Sequence, residues 1–437
     1  MELQLQNIGM IKESIIKLDG LTVIAGENNI GKSTVGKLIF SLIKSSSRYD
    51  EDLEEGKDDK LFSLMEKNYF EIRKDFNFSE NNNLRDLFHP HRFRRDVQRY
   101  SFNAIDERID FLEEIKETIE IQIYEKIKTN LLKIKEIFLG EKDIQKAQKN
   151  AFRKALISEF KGKITNQNSK NDASIKINES KNKILEITIN KKDKITEFNI
   201  FDEFYFNDAT FIESPIVLQL SESIQMSRTY FEILEDRKHT IPRPNVPLHI
   251  KDLNNKLKIS LMEEDTLFDV EDLLNRYDVK KLLSILSDTM SGKIKYNKKI
   301  RDFQYIDNNG KIFDSLNTAT GIKSLGIIQM LIKSGIIDQR SLLILDEPEV
   351  HLHPKWQLKY AELIVELVKN DINVLVTSHS PYMIQALIKY AKDANIIDKS
   401  NFYLAKRENN HSNIKNVNET LNEIFELLAE PMNEVYD

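Results

Sequence analysis

The 437-residue chain has no cysteine and one tryptophan. The first absence excludes disulfides and every cysteine-ligated metal site. No apolar run approaches the ~20 residues that span a bilayer, so no membrane contact is expected. The strand-like opening residues leave no signal peptide in view. An excess of positive charge is also missing, because 64 Lys and Arg face 70 Asp and Glu for a net −6. Contact with nucleic acid would therefore have to come from a local patch. These absences together point to a cytoplasmic protein. Internal repeats, low-complexity segments and sustained heptads are absent too. What remains is 40% hydrophobic and 31% charged, enough for a substantial core and for two or three structural units.

Two segments carry the strongest signal. Residues 26–34 read Gly-Glu-Asn-Asn-Ile-Gly-Lys-Ser-Thr, a G-x-x-x-x-G-K-S phosphate loop. An apolar, β-branched run at 21–25 precedes it, and helical periodicity through Val35, Leu38, Ile39, Leu42 and Ile43 follows. Strand, glycine loop and helix is the geometry that lets backbone N–H groups and a helix dipole close on phosphates. Much further on, Leu-Leu-Ile-Leu at 342–345 runs into Asp346, Glu347 and Pro348. The two motifs imply nucleoside-triphosphate binding and hydrolysis, with ATP and Mg²⁺ as the ligands.

Roles follow from residue types. The backbone around Gly26, Asn28, Asn29, Gly31 and Thr34 should cradle phosphates, with Lys32 reaching the β- and γ-phosphates. The Ser33 hydroxyl and the Asp346 carboxylate should hold Mg²⁺, and Glu347 should act as base or orienter for the attacking water. The next strand, 374–377, ends in Ser378-His379-Ser380-Pro381, where His379 can sense the γ-phosphate. A fourth element, Thr318-Ala319-Thr320-Gly321, opens a helix and offers a second anion site. It cannot easily serve the phosphate held by Lys32, so Thr318, Thr320 and Gly321 are expected to cap the ATP of a second subunit. That arrangement implies a head-to-tail homodimer or larger homo-oligomer.

The motifs lie 314 positions apart, counted from Lys32 to Asp346. The expected fold is α/β: a P-loop NTPase core from residues 1–46 and 311–437, interrupted by a large α+β insertion at 47–310. Within the insertion, 105–139 reads as a long helical segment and 162–206 as a small β region. The segments 220–238 and 267–290 read as helices, and 294–313 as two or three strands.

These four elements, in this order, resemble the ABC-type ATPase heads of the SMC and RecF-like group. The wording Leu-Asp-Glu-Pro-Glu-Val-His-Leu-His-Pro at 345–354, followed by Thr-Ser-His-Ser-Pro at 377–381, is most similar to the OLD-family ATPases. Among these it resembles the stand-alone ATPases of bacterial anti-phage systems such as Septu. The resemblance carries the family roles onto Lys32, Ser33, Asp346, Glu347 and His379, and matches Asn28 to the loop asparagine. Two positions depart from the pattern: Asn29 replaces a usual Gly, and Ala319 replaces the signature Ser. The family's glutamine lid is best sought in 211–215 but has no assignable residue. OLD-family nucleases add a C-terminal Toprim domain, for which the 58 residues after His379 are too few. The resemblance therefore implies a sensor or regulator ATPase controlling a separate nuclease or toxin. The alternative is a RecF-like repair ATPase that clamps DNA.

One further stretch stands out. Arg85, Arg92, Arg94, Arg95 and Arg99 are five of the sixteen arginines, with Phe88, Phe93 and Tyr100 interleaved. Such a patch can grip DNA phosphates, dock an acidic partner, or pair with the acidic residues at 50–59. In contrast, Arg407 to His411 reads as a solvated hairpin.

Overall fold

The structure, a computed structural model, describes residues 1–47, 49–76, 82–139, 144–229, 244–259, 279–350 and 352–428. Alternating residues at the start form a hairpin of β1 (Glu2–Ile8) and β2 (Ile11–Lys17). In β3 (Leu21–Ala25) all five side chains are buried, the mark of a strand covered on both faces. An antiparallel meander follows, built from β4 (Ala173–Glu179), β5 (Asn182–Ile189) and β6 (Ile195–Ile200). Next comes β7 (Asp208–Ile212), and β8 (Arg228–Thr229) pairs with β9 (Asn245–Val246). A small antiparallel sheet contains β10 (Gly292–Asn297), β11 (Asp302–Asp307) and β12 (Ile312–Asp314). The last strands are β13 (Ser341–Asp346), β14 (Asn373–Ser378), β15 (Ser400–Glu408) and β16 (His411–Asn416).

Eleven of these strands make one sheet, in the order β6-β5-β4-β1-β2-β16-β15-β3-β14-β13-β7. From β15 to β7 every pairing is parallel, whereas from β6 to β2 every pairing is antiparallel. The helix Lys32–Ser47 covers one face, where Val35, Leu38, Ile39 and Leu42 join Ile24, Ile344 and Leu375. On the other face, helices Thr320–Lys333, Pro354–Lys369 and Pro381–Asp393 pack over Val23, Leu343, Leu345 and Val376. Gly36 permits the close seat of the first helix, since a Cβ there would stand 2.9 Å from Phe211.

The chain divides into two compact units, residues 1–47 with 149–437, and residues 48–148. The insertion expected at 47–310 takes in the whole of the second unit and part of the first. Residues 149–310 belong to the unit with the nucleotide motifs, because β4 pairs with β1 and β7 pairs with β13. The 48–148 unit is helical, with a core that includes Met65, Phe88, Phe93, Ile105, Leu112, Ile127 and Leu131. The helical segment expected at 105–139 is made of two helices, Asn103–Glu114 and Ile121–Leu139, with a 3₁₀ turn at Lys116–Thr118 between them. Of the helix expected at 220–238 the structure describes Ser221–Met226, and residues 230–238 lie outside the described residues. Likewise Val279–Met290 forms, while 267–278 lies outside.

Candidate functional site

Sheet register brings the motifs together. Ala25 pairs with Ser378, Thr377 with Asp346, and Leu345 with Ile212. The residues just beyond these ends, Gly26, His379, Glu347 and Glu213, therefore emerge at one edge. In open parallel sheets, ligands bind outside these carboxyl ends. A cavity of about 400 Å³ lies there, lined by Asn28, Ser33, Glu213, Ser324, Asp346 and Glu347 among others.

The loop is shaped by its glycines. Gly26 and Gly31 have φ of +149° and +96°, and Asn29 takes +60°. Asn28 and Asn29 are exposed, and Thr34 is half-buried in the first helical turn. Ser412 of β16 donates to the Ile30 carbonyl at 2.7 Å and ties the loop down. Lys32 is 3% exposed, and its ammonium donates to the carbonyls of Gly26 (2.9 Å) and Glu27 (2.6 Å). It also lies 3.5 Å from Glu347 Oε1.

The carboxylates differ sharply. Asp346 is buried, and burial raises its pKa, while hydrogen bonds from Thr377 and Ser33 act against that shift. Thr377 Oγ1 donates to it at 2.5 Å. A serine hydroxyl on a buried carboxylate is an oxygen donor set suited to a hard cation such as Mg²⁺. Glu347 sits at φ +48°, a left-handed conformation uncommon for a residue with a side chain and concentrated at functional sites. Its N–H is shared between the Thr377 carbonyl and hydroxyl at 3.0 and 3.1 Å. His379 Nδ1 lies 3.4 Å from Glu347 Oε1.

Sequence reasoning overlooked Glu349 as a builder of this site. It is 4% exposed, and its Oε1 accepts from Ser378 Oγ (2.6 Å), His379 N–H (2.9 Å) and Ser380 N–H (3.2 Å). One carboxylate thus folds the turn that carries His379. Glu213, also unassigned from sequence, occupies the stretch in which the lid was sought. Its one sequence signal was its place directly after a strand.

The signature segment is less uniform than expected. The Thr318 hydroxyl donates to the Asp314 carbonyl at 2.9 Å, so it is used within the chain. Gly321 packs beneath Trp356, with 2.9 Å left for a Cβ. Thr320 is half-buried, and Ser324, one turn in, lines the cavity. The arginine cluster is partly consumed in its own unit. Arg85 and Arg92 pair with Asp86, Arg94 pairs with Asp58, and Arg95 and Arg99 are exposed. Residues 407–411 lie in the β15–β16 hairpin.

The parallel strands, glycine loop and edge carboxylates define an α/β P-loop nucleotide-binding protein. The chain belongs to the AAA ATPase domain family, which it matches over residues 1–384. It is similar to the Septu protein PtuA of Bacillus thuringiensis, with 41% identity over 49 residues, 11% of this chain. That match spans 12% of the relative's length. Among solved structures it is similar to an Smc head bound to the C-terminal winged-helix domain of ScpA. There the identity is 11% and the TM-score 0.41, over 97% of this chain and 98% of that one. A second is the SMC head domain from Thermotoga maritima, with 11% identity and a TM-score of 0.38 over 95% and 98%. Among the described residues no helix is long and apolar enough to cross a membrane.

Proposed function

We propose that this chain is a Mg²⁺-dependent ATP hydrolase that acts as the sensor or regulator subunit of an anti-phage system, controlling a separate nuclease or toxin. The observation that carries the ATPase reading is the convergence of Lys32, Ser33, Asp346, Glu347 and His379 at one sheet edge. Lys32 exchanges the carbonyls of its own loop for phosphate oxygens. Ser33 and Asp346 hold the cation, which when bound neutralises charge on the phosphates. Glu347 orients and deprotonates the attacking water, and His379 contacts the γ-phosphate from the neighbouring strand. Support for the defence setting is the short likeness to PtuA.

Thr320, at an uncapped helix start, reaches the ATP of a second subunit and makes the working unit a homodimer or larger. The test is phosphate release by the purified chain, with and without the product of the neighbouring gene. Absence of hydrolysis in both would defeat the ATPase reading, and an unrelated neighbour that does not bind would defeat the regulatory one. For the shared site, Thr320→Asp is mixed with Lys32→Ala. Recovery of turnover on mixing is expected, because one composite site stays intact.

The second reading, a DNA-clamping repair ATPase, draws on exposed Arg92, Arg95 and Arg99 along one helix. Neutralising them should weaken binding to all DNA sequences and flatten its salt dependence, by about one unit of slope for each arginine that grips a phosphate. Unchanged DNA binding would remove this alternative.

A further inference from the structure

A run of ionisable groups leads from the buried Glu159 and His249 to the exposed Glu213 at the nucleotide cavity, and no step above uses it. Glu213 follows β7 directly and lines the cavity with Asp346. Its Oε2 lies 2.9 Å from His249 Nε2, and its Oε1 lies 2.9 Å from Lys37 in the phosphate-loop helix. His249, 1% exposed, is the second residue of the helix Leu248–Ile259. Glu159 holds it twice: Oε2 meets Nδ1 at 2.6 Å, and Oε1 accepts the His249 backbone N–H at 2.8 Å. That N–H is among the first four of the helix, which lack intrahelical partners. The same carboxylate therefore caps a helix and aims a ring. Phe211 packs on the imidazole at 4.8 Å, and Phe40 meets it edge-on at 6.2 Å. Two carboxylates and two aromatic rings thus hold the imidazole.

A carboxylate on each ring nitrogen calls for a proton on both, which is the imidazolium form. Burial opposes that charge, yet the hydrogen bonds to Glu159 and Glu213 hold the His249 pKa above its ordinary value. The hydrogen bond from His249 is also the main cause that brings Glu213 down to about 2. Glu213 thus stays ionised beside Asp346, whose own pKa its charge helps to raise. Like charges converging on a cavity are unfavourable for a fold and are typical of sites that handle a cation or a reacting group.

Resting on the ATPase reading, we propose that Glu213 is a further residue of the hydrolytic site, facing the cation and the attacking water, and that His249, anchored by Glu159, is its positioning residue. Lys37 and His249 offset the Glu213 charge, so it can face a triphosphate without expelling it. Loss of His249 lets the carboxylate swing within the cavity.

The experiment uses the full chain as wild type, Glu213→Ala, His249→Gln and Glu159→Gln. ATP affinity is measured by calorimetry with Mg²⁺ and with EDTA, and turnover by phosphate release. All four should bind ATP alike in EDTA, to within about twofold, while Glu213→Ala loses most of the tightening that Mg²⁺ gives. Turnover should fall at least ~10-fold in Glu213→Ala and His249→Gln with KM little changed, the scale of a misplaced group acting in the transition state. If His249→Gln does not fold, Glu159→Gln decides, with a smaller fall in kcat at constant KM expected. Normal Mg²⁺ tightening and normal kcat in the folded variants would overturn the proposal and leave an ion pair of the fold. A wild type that binds Mg²⁺-ATP without turnover would defeat the hydrolase reading alone, since the Mg²⁺ dependence of binding still judges Glu213.

Discussion

Lys32 and Arg108 are both buried cations, 3% and 0% exposed, and they are held in opposite ways. Arg108 donates to the Leu87 carbonyl at 3.0 Å, the Ala104 carbonyl at 2.7 Å and Asp96 at 2.6 Å. Its guanidinium also lies 4.1 Å from the centre of the Phe93 ring. Three consecutive helices thereby share one charge. Lys32 instead rests on two carbonyls of its own loop and on Glu347 at 3.5 Å. Among the described residues, Glu347 is its one ion-pair partner. A cation built for structure is saturated by fixed partners, whereas one built for a ligand keeps partners it can exchange.

The largest expected effect is on the exchangeable side. Lys32→Ala should abolish calorimetric ATP binding while the thermal unfolding midpoint stays close to wild type. Retained affinity would erase the contrast. On the saturated side, Arg108→Ala should cost about 3–5 kcal/mol in the urea unfolding of the 48–148 unit, as for any broken buried pair. A fall below about 1 kcal/mol, the scale of an exposed pair, would show that Arg108 is not its structural centre. Glu347→Gln should keep ATP binding and lower hydrolysis at least ~100-fold, about 2.7 kcal/mol of barrier. Normal turnover there would move the base elsewhere. Glu349 would be a poor successor, because three hydrogen bonds already engage its Oε1.

The smallest effect concerns pH. The raised pKa of His249 supplies stability that is complete below its ordinary 6.5 and lost as pH rises through the folded value. Glu213, held down to about 2, supplies stability present above its ordinary 4.5 and lost as pH falls toward 2. The stability gap between wild type and His249→Gln should therefore be widest between those ordinary values and narrow on both sides. A gap that is flat from pH 4 to pH 9 would show that the two charges do not interact.

Local patterns were legible in the sequence and distant pairings were not. The phosphate loop, its strand and its helix are contiguous, and each is written in periodicity and glycine placement. Strand β13 announced itself by an apolar run ending in two carboxylates. By contrast, β16 reads His-Ser-Asn-Ile-Lys-Asn, too polar to signal a strand, yet it runs between β2 and β15. The pairing of Leu3 with Ile177 joins segments with no shared pattern, so the meander seemed a separate region. Glu159, Glu213 and His249 likewise come from three segments and meet only after folding. Gly321 has a packing role the sequence did not announce, since its missing side chain leaves room for Trp356.

The central strand β3 has its two neighbours, β14 and β15, in the last part of the chain. During synthesis the phosphate loop therefore emerges early, but its strand has no lateral partner until residues 373–408 have left the ribosome. Domains form as units, and a sheet centre that closes late leaves its edges exposed meanwhile. A nascent or truncated chain carries the loop without the carboxylates or the histidine that complete it. The site proposed for hydrolysis is thus assembled only once the last strands have joined the sheet.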